Sequence, residues 1–130
     1  MVTLVHLSLD PVTRRVEYVR AGHPPPLVRD PAGVVRELDA SCSPPLGVVR
    51  DPVFRSASAE LEPGSVVLLY TDGLIERPDE GIASGLARLR RAFAGAPDSA
   101  EGAVQKIVEQ LGAEALPDDV AIVALRFIGV

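Results

Sequence analysis

Two acidic positions stand where apolar runs stop or start. Asp72 follows the run Val66-Val67-Leu68-Leu69-Tyr70, with only Thr71 between. Asp118 and Asp119 immediately precede a second apolar run, 120–127. If the two runs pair as antiparallel strands, the end of one lies beside the start of the other. Asp72 then meets Asp118 and Asp119 at one rim of a sheet. Carboxylates that converge in this way repel unless they are protonated or bridged by a cation. An all-oxygen donor set suits Mg²⁺ or Mn²⁺, and no His or Cys accompanies these residues for a zinc set. Gly73 lets the backbone turn away sharply after Asp72. The same residues also have a plain structural reading, since Asp-Gly after a strand is a common turn and Pro-Asp-Asp a common loop.

Other reactive side chains point to less. His6 falls in mid-strand, as a solvent-side or partly buried residue. His23 opens a proline run and reads as a structural hydrogen-bonding residue rather than a catalytic one. Cys42 is the single cysteine, which excludes an internal disulfide, and its Ser-Cys-Ser-Pro surroundings mark an incidental loop thiol rather than a nucleophile. No Ser–His–Asp arrangement, glycine-rich phosphate loop or basic aromatic patch occurs. Arg88, Arg90 and Arg91 read as a solvated helix face.

The elements that would position the acidic residues follow from periodicity. Residues 3–9 alternate with Val5, Leu7 and Leu9 on one face, and 15–22 alternate with Val16 and Tyr18, so 10–14 turns a hairpin. The prolines of "HPPP" (23–26) make a stiff extended connection. "DPAG" (30–33) turns a second hairpin, with Pro second and Gly fourth as a type I turn prefers. Residues 43–49 form an irregular proline-rich loop. Alternation over 53–61, with Val53, Ala57, Ala59 and Leu61 as the apolar side, predicts another strand. "SVVLLY" (65–70) is continuously apolar and needs cover on both faces. The period then changes. Ile82, Leu86, Leu89 and Phe93 mark one helical face. Ser99 serves as N-cap of a second helix with the stripe Val104, Ile107, Val108 and Leu111, ended by Gly112. Residues 116–119 form a loop into a final strand, 120–127. Strands and helices are segregated, which gives an α+β class with antiparallel sheets and two C-terminal helices.

A chain of 130 residues is one domain or part of one, and 47% hydrophobic with 24% charged residues makes it globular. The net charge of −5 argues against a nucleic-acid partner. No apolar run approaches the roughly 20 residues of a membrane span, and no signal peptide is visible. A cytoplasmic protein with no membrane partner is the expectation.

Four segments in order, "LDPVTRRVEYVRAGHPPPLVRDPAGVVREL", "PPLGVV", "LEPGSVVLLYTDGLIE" and "PDDVAIVALR", resemble the C-terminal part of SpoIIE/RsbU-type protein phosphatases. These are bacterial members of the PP2C (PPM) class of metal-dependent serine/threonine phosphatases. The resemblance implies a partial αββα sandwich with a Mn²⁺ or Mg²⁺ pair at one end of the sheets. It implies hydrolysis of phosphoserine or phosphothreonine on a regulatory protein resembling an anti-sigma-factor antagonist, by metal-bound water. Asp72 and Asp118 match metal-binding aspartates of the family, with Asp119 and Gly73 in supporting positions. The family also carries an N-terminal Gly-Asp motif and an upstream acidic residue, and this sequence contains no Gly-Asp pair. The expectation is therefore that residues 1–130 are the C-terminal portion of such a domain, with the N-terminal metal-binding segment absent. Partners would be a phosphoprotein substrate and an upstream sensor domain or complementing segment. The alternative is a non-catalytic pseudophosphatase or partner-binding module.

Overall fold

The computed structural model describes residues 1–111 and 118–129. Seven strands and two α-helices follow one another as β1 (Leu4–Asp10), β2 (Arg15–Ala21), β3 (Leu27–Arg29), β4 (Val35–Glu37), β5 (Ala57–Glu60), β6 (Val66–Tyr70), α1 (Ile82–Ala94), α2 (Ala100–Leu111) and β7 (Ile122–Arg126). A short 3-10 turn, Asp72–Leu74, leaves the end of β6. The strands make two antiparallel sheets, β1-β2-β5 and β4-β3-β6-β7.

Alternation in the strands builds two cores. Val16 and Tyr18 of β2 join Val28, Leu61, Val67 and Phe127 between the two sheets, with Leu7 and Leu9 packed against them. The opposite face of the four-stranded sheet presents Leu27, Val66, Leu68 and Tyr70 to Leu89 and Phe93 of α1 and to Ala103 and Ile107 of α2. The layers among the described residues are thus sheet, sheet and helices. These are three of the four layers of an αββα sandwich, and the fold class read from the sequence holds. β6 is buried on both sides because it contributes to both cores, which is why its sequence is apolar without alternation.

Local chemistry sets the connections. The Asp10 carboxylate accepts the N–H groups of Val12 and Thr13, at 2.9 and 3.3 Å, and turns the first hairpin. These bonds hold its pKa below the ordinary carboxylate value. Gly33 closes the second hairpin with φ +89°, donating its N–H to the Asp30 carbonyl. Ser99 caps α2, its Oγ accepting the Gly102 N–H at 2.9 Å.

Several expectations need correction. The strand read over 53–61 is confined to Ala57–Glu60, and Val53 is 70% exposed. The final strand covers Ile122–Arg126 rather than 120–127. Ile82 opens α1 but lies outside its buried stripe. Val108 is likewise exposed on α2. Arg88 and Arg90 are not simply solvated: Arg88 pairs with Glu80, and Arg90 bonds the Glu37 carboxylate at 2.8 Å and the Val35 carbonyl at 2.9 Å, tying α1 to β4. The helix stop at Gly112 and the first half of the 116–119 loop lie outside the described residues.

Candidate metal centre

β6 and β7 pair antiparallel, with Tyr70 opposite Ile122. The pairing continues one step past the strands. Thr71 donates its N–H to the Ala121 carbonyl at 3.1 Å, and its hydroxyl accepts the Ala121 N–H at 2.9 Å. This clasp brings the segment carrying Asp72 against the segment carrying Asp118 and Asp119. A Cβ placed on Gly73 would lie 2.7 Å from the Asp119 carbonyl oxygen and 3.3 Å from the Asp118 Cβ. No side chain fits there, so Gly73 is required for close approach rather than for an unusual backbone angle. The Asp118 carboxylate also accepts the Asp119 N–H at 2.8 Å, which turns the chain into β7.

Asp72, Asp118 and Asp119 are all solvent-exposed, whereas Gly73, Leu74 and Ile75 behind them are buried. Asp72 thus opens a buried turn, and all three carboxylates are open to solvent, a donor set of the hard-oxygen kind that Mg²⁺ or Mn²⁺ takes. Among the described residues, no group of three or more His, Cys, Asp or Glu side chains gathers in a way that could hold a metal ion. The residues present therefore fit one side of a coordination sphere.

A cleft of about 340 Å³ opens beside Asp72. Ile75, Ile82, Leu86 and the Pro24–Pro25 segment form its apolar walls, and Arg20, His23 and Glu76 bring charge or hydrogen-bonding groups to it. Cys42 also lines the cleft, and its thiol is exposed. Asp118 and Asp119 lie on the β7 side of the turn and do not line it. Ile82 thus serves the cleft wall.

His23 braces this end of β6. Its Nε2 meets the Tyr70 carbonyl at 2.9 Å and its Nδ1 meets the Thr3 hydroxyl at 3.1 Å. A carbonyl only accepts, so Nε2 carries a proton, and in the neutral ring Nδ1 then accepts from the Thr3 hydroxyl. Both ring nitrogens are thereby engaged, as expected of a structural histidine. The Tyr70 hydroxyl donates to the Pro25 carbonyl at 2.7 Å, and burial pushes its pKa up, so it stays a donor. His6 is exposed on β1, away from these contacts.

Sequence reasoning missed Glu76 and Arg20. Glu76 lies four residues past Asp72 and donates its N–H to the Asp72 carbonyl at 2.9 Å, so one turn of backbone carries both acids to the cleft. That spacing was visible in "TDGLIE". Arg20 carried no signal, because its place depends on the loops around it.

Comparison with known proteins agrees with this architecture. The family model for stage II sporulation protein E (SpoIIE) matches residues 1–128. The phosphoserine phosphatase RsbP of Bacillus subtilis is 40% identical over 74 residues, covering 57% of this chain and 18% of RsbP. The structure of the RsbU and RsbW domains of Rv1364c from Mycobacterium tuberculosis superposes with a TM-score of 0.85 at 29% identity, over 98% of this chain and 38% of that one. The SpoIIE phosphatase domain of Bacillus subtilis, presoaked with Mn, superposes with a TM-score of 0.73 at 15% identity. It is covered to 56% and this chain to 96%, so the chain spans a little over half of that domain and much less of the other two proteins. With all but its last two residues inside the family match, the chain belongs to the SpoIIE family.

Proposed function

We propose that this chain forms part of a metal-dependent phosphatase centre acting on phosphoserine or phosphothreonine of a regulatory protein. The observation that carries the reading is the approach of the segments bearing Asp72 and Asp118 at one rim, held by the Thr71–Ala121 clasp and the Gly73 contact. Asp72 and Asp118 would hold the ion, and Asp119 and Gly73 would fix their backbone. Mg²⁺ is commonly bound by one or two carboxylates together with water and substrate phosphate, which such a pair can satisfy weakly. A bound divalent ion would supply an activated water and offset phosphate charge. Further ligands would come from polypeptide that supplies the rest of the domain, consistent with the 56% coverage of the SpoIIE structure. Within this reading Glu76 faces the same cleft as Asp72, and the apolar walls exclude water from one side of it. No described helix is long and apolar enough to cross a membrane.

The test is Mn²⁺ titration with hydrolysis of a phosphoserine peptide, comparing the wild type with Asp72→Asn. The expected outcome is metal-dependent turnover lowered at least tenfold in the variant. Equal activity in the two would sink the role of Asp72. The second reading, a non-catalytic partner-binding module, is favoured by the exposed apolar side chains Val123 and Leu125 on β7. Metal-dependent turnover by the isolated chain would exclude it.

A further inference from the structure

The cleft beside Asp72 contains a cation that metal binding does not use. Arg20, next to last in β2, is held from two sides. Its Nε donates to the Ser41 carbonyl at 2.9 Å, and one terminal nitrogen donates to the His23 carbonyl at 2.8 Å. Its backbone N–H bonds the Ser41 hydroxyl at 3.2 Å, and that hydroxyl donates to the Arg55 carbonyl at 2.7 Å, so the support itself is anchored. These bonds fix the guanidinium without neutralising it. Arg20 is in no ion pair among the described residues, unlike Arg14, Arg15, Arg29, Arg88 and Arg90. A guanidinium has five N–H donors, and the two backbone carbonyls take two of them. A half-buried arginine, fixed by carbonyls and carrying its full charge into a cleft, is a pre-organised receptor for a bidentate oxyanion.

The cleft also explains which anion. Asp72 and Glu76 line it with Arg20, so a simple carboxylate ligand would meet like charge there. An anion that shares a cation with Asp72 while its other oxygens reach Arg20 does not suffer that repulsion. We propose that Arg20 binds the phosphoryl oxygens of a phosphoserine or phosphothreonine side chain in this cleft, with Ile82 and Leu86 receiving the apolar part of the flanking peptide. The inference rests on the phosphatase reading of the same site. The competing role for Arg20 is a staple that merely joins the 20–24 and 41–43 segments.

Titration of the ¹⁵N-labelled 130-residue chain with inorganic phosphate, followed by NMR in the presence of Mg²⁺, separates the two. Binding is expected to be saturable, with shifts at the amides of Gly22, His23 and Cys42. Arg20→Gln should weaken it at least tenfold. Arg20→Lys, which keeps the charge and loses the planar fork, should weaken it several-fold, and it decides the matter if the glutamine variant does not fold. No saturable binding by the wild type, or unchanged binding in the arginine variants, overturns the proposal. Mn²⁺-induced line broadening at Gly73 and Asp119 in parallel samples tests the metal reading separately. Phosphate binding that needs Arg20, without broadening that needs Asp72, would leave the anion site standing and remove the metal centre.

Discussion

β6 and β7 are neighbours in one sheet, similar in composition, and each carries an acidic residue at the same rim. They differ in cover. Val67 and Leu125 are directly opposite each other on the inter-sheet face, yet Val67 is 2% exposed and Leu125 is 46% exposed. Val123, on the same face of β7, is 58% exposed. The reason is geometric: among the described residues, β7 is at the edge of a four-stranded sheet, and the sheet facing it has three strands, β1-β2-β5. The other face of β7 is better served, with Ile122 and Ala124 packed against the helical core. One strand is therefore a finished core element, and the other has a core-like sequence on a face with nothing over it. An exposed apolar edge strand is normally shielded or paired. Among the described residues this face of β7 is uncovered, while its backbone pairs with β6 along the whole strand.

Five variants at four positions can break or sharpen this contrast. The largest effect is expected at Leu68, wholly buried on the helix-facing side of β6. Leu68→Ala should destabilise the chain by about 2–5 kcal/mol, read by urea denaturation. Gly73→Ala comes next. Its new methyl meets a backbone carbonyl and forces the two rim segments apart, at about 1–3 kcal/mol, with loss of any Mn²⁺ broadening at Asp119. His23→Ala, which leaves the buried end of β6 without its donor at the Tyr70 carbonyl, should cost about 1–2 kcal/mol in the same assay. Leu125→Ala should stay within about 0.5–1 kcal/mol. Leu125→Lys should lower self-association at high concentration, measured by sedimentation. If Leu125→Ala cost as much as Leu68→Ala, β7 would be covered in solution and the contrast would fail.

Much of this was legible in the sequence, and the misses have a common cause. Hairpins were readable because alternation and turn chemistry are local: Asp10 and Gly33 act on residues within four positions of themselves. β6 announced its double burial through an unbroken apolar run. Asp72 and the Asp118–Asp119 pair stand out as candidate ligands from their places at strand ends, and the antiparallel register brings their segments together. What failed depended on distant cover. Val53 continues an apolar alternation but has no facing layer, so no strand forms there. Leu125 looks like a core residue and faces open space. Arg20 became interesting only through carbonyls 21 and three positions along the chain, those of Ser41 and His23, which no spacing rule brings together. Arg90 was read as solvated, although it reaches β4 across 53 positions of sequence.

The clasp between Thr71 and Ala121 gives the rim a clock as well as a shape. Its two hydrogen bonds join positions 50 residues apart, and they are the last pairing before the acidic segments diverge. Whenever that terminal pair frays, Asp72 and Asp118 separate, whatever the rest of the sheet is doing. Amide hydrogen exchange at Thr71 and Ala121 thus reports the fraction of time during which both carboxylates are available to one ion. A ligand that bridges them must slow that exchange in proportion to its occupancy. On the proposed metal reading, ion binding at this rim and closure of the last rung of the ladder are linked equilibria.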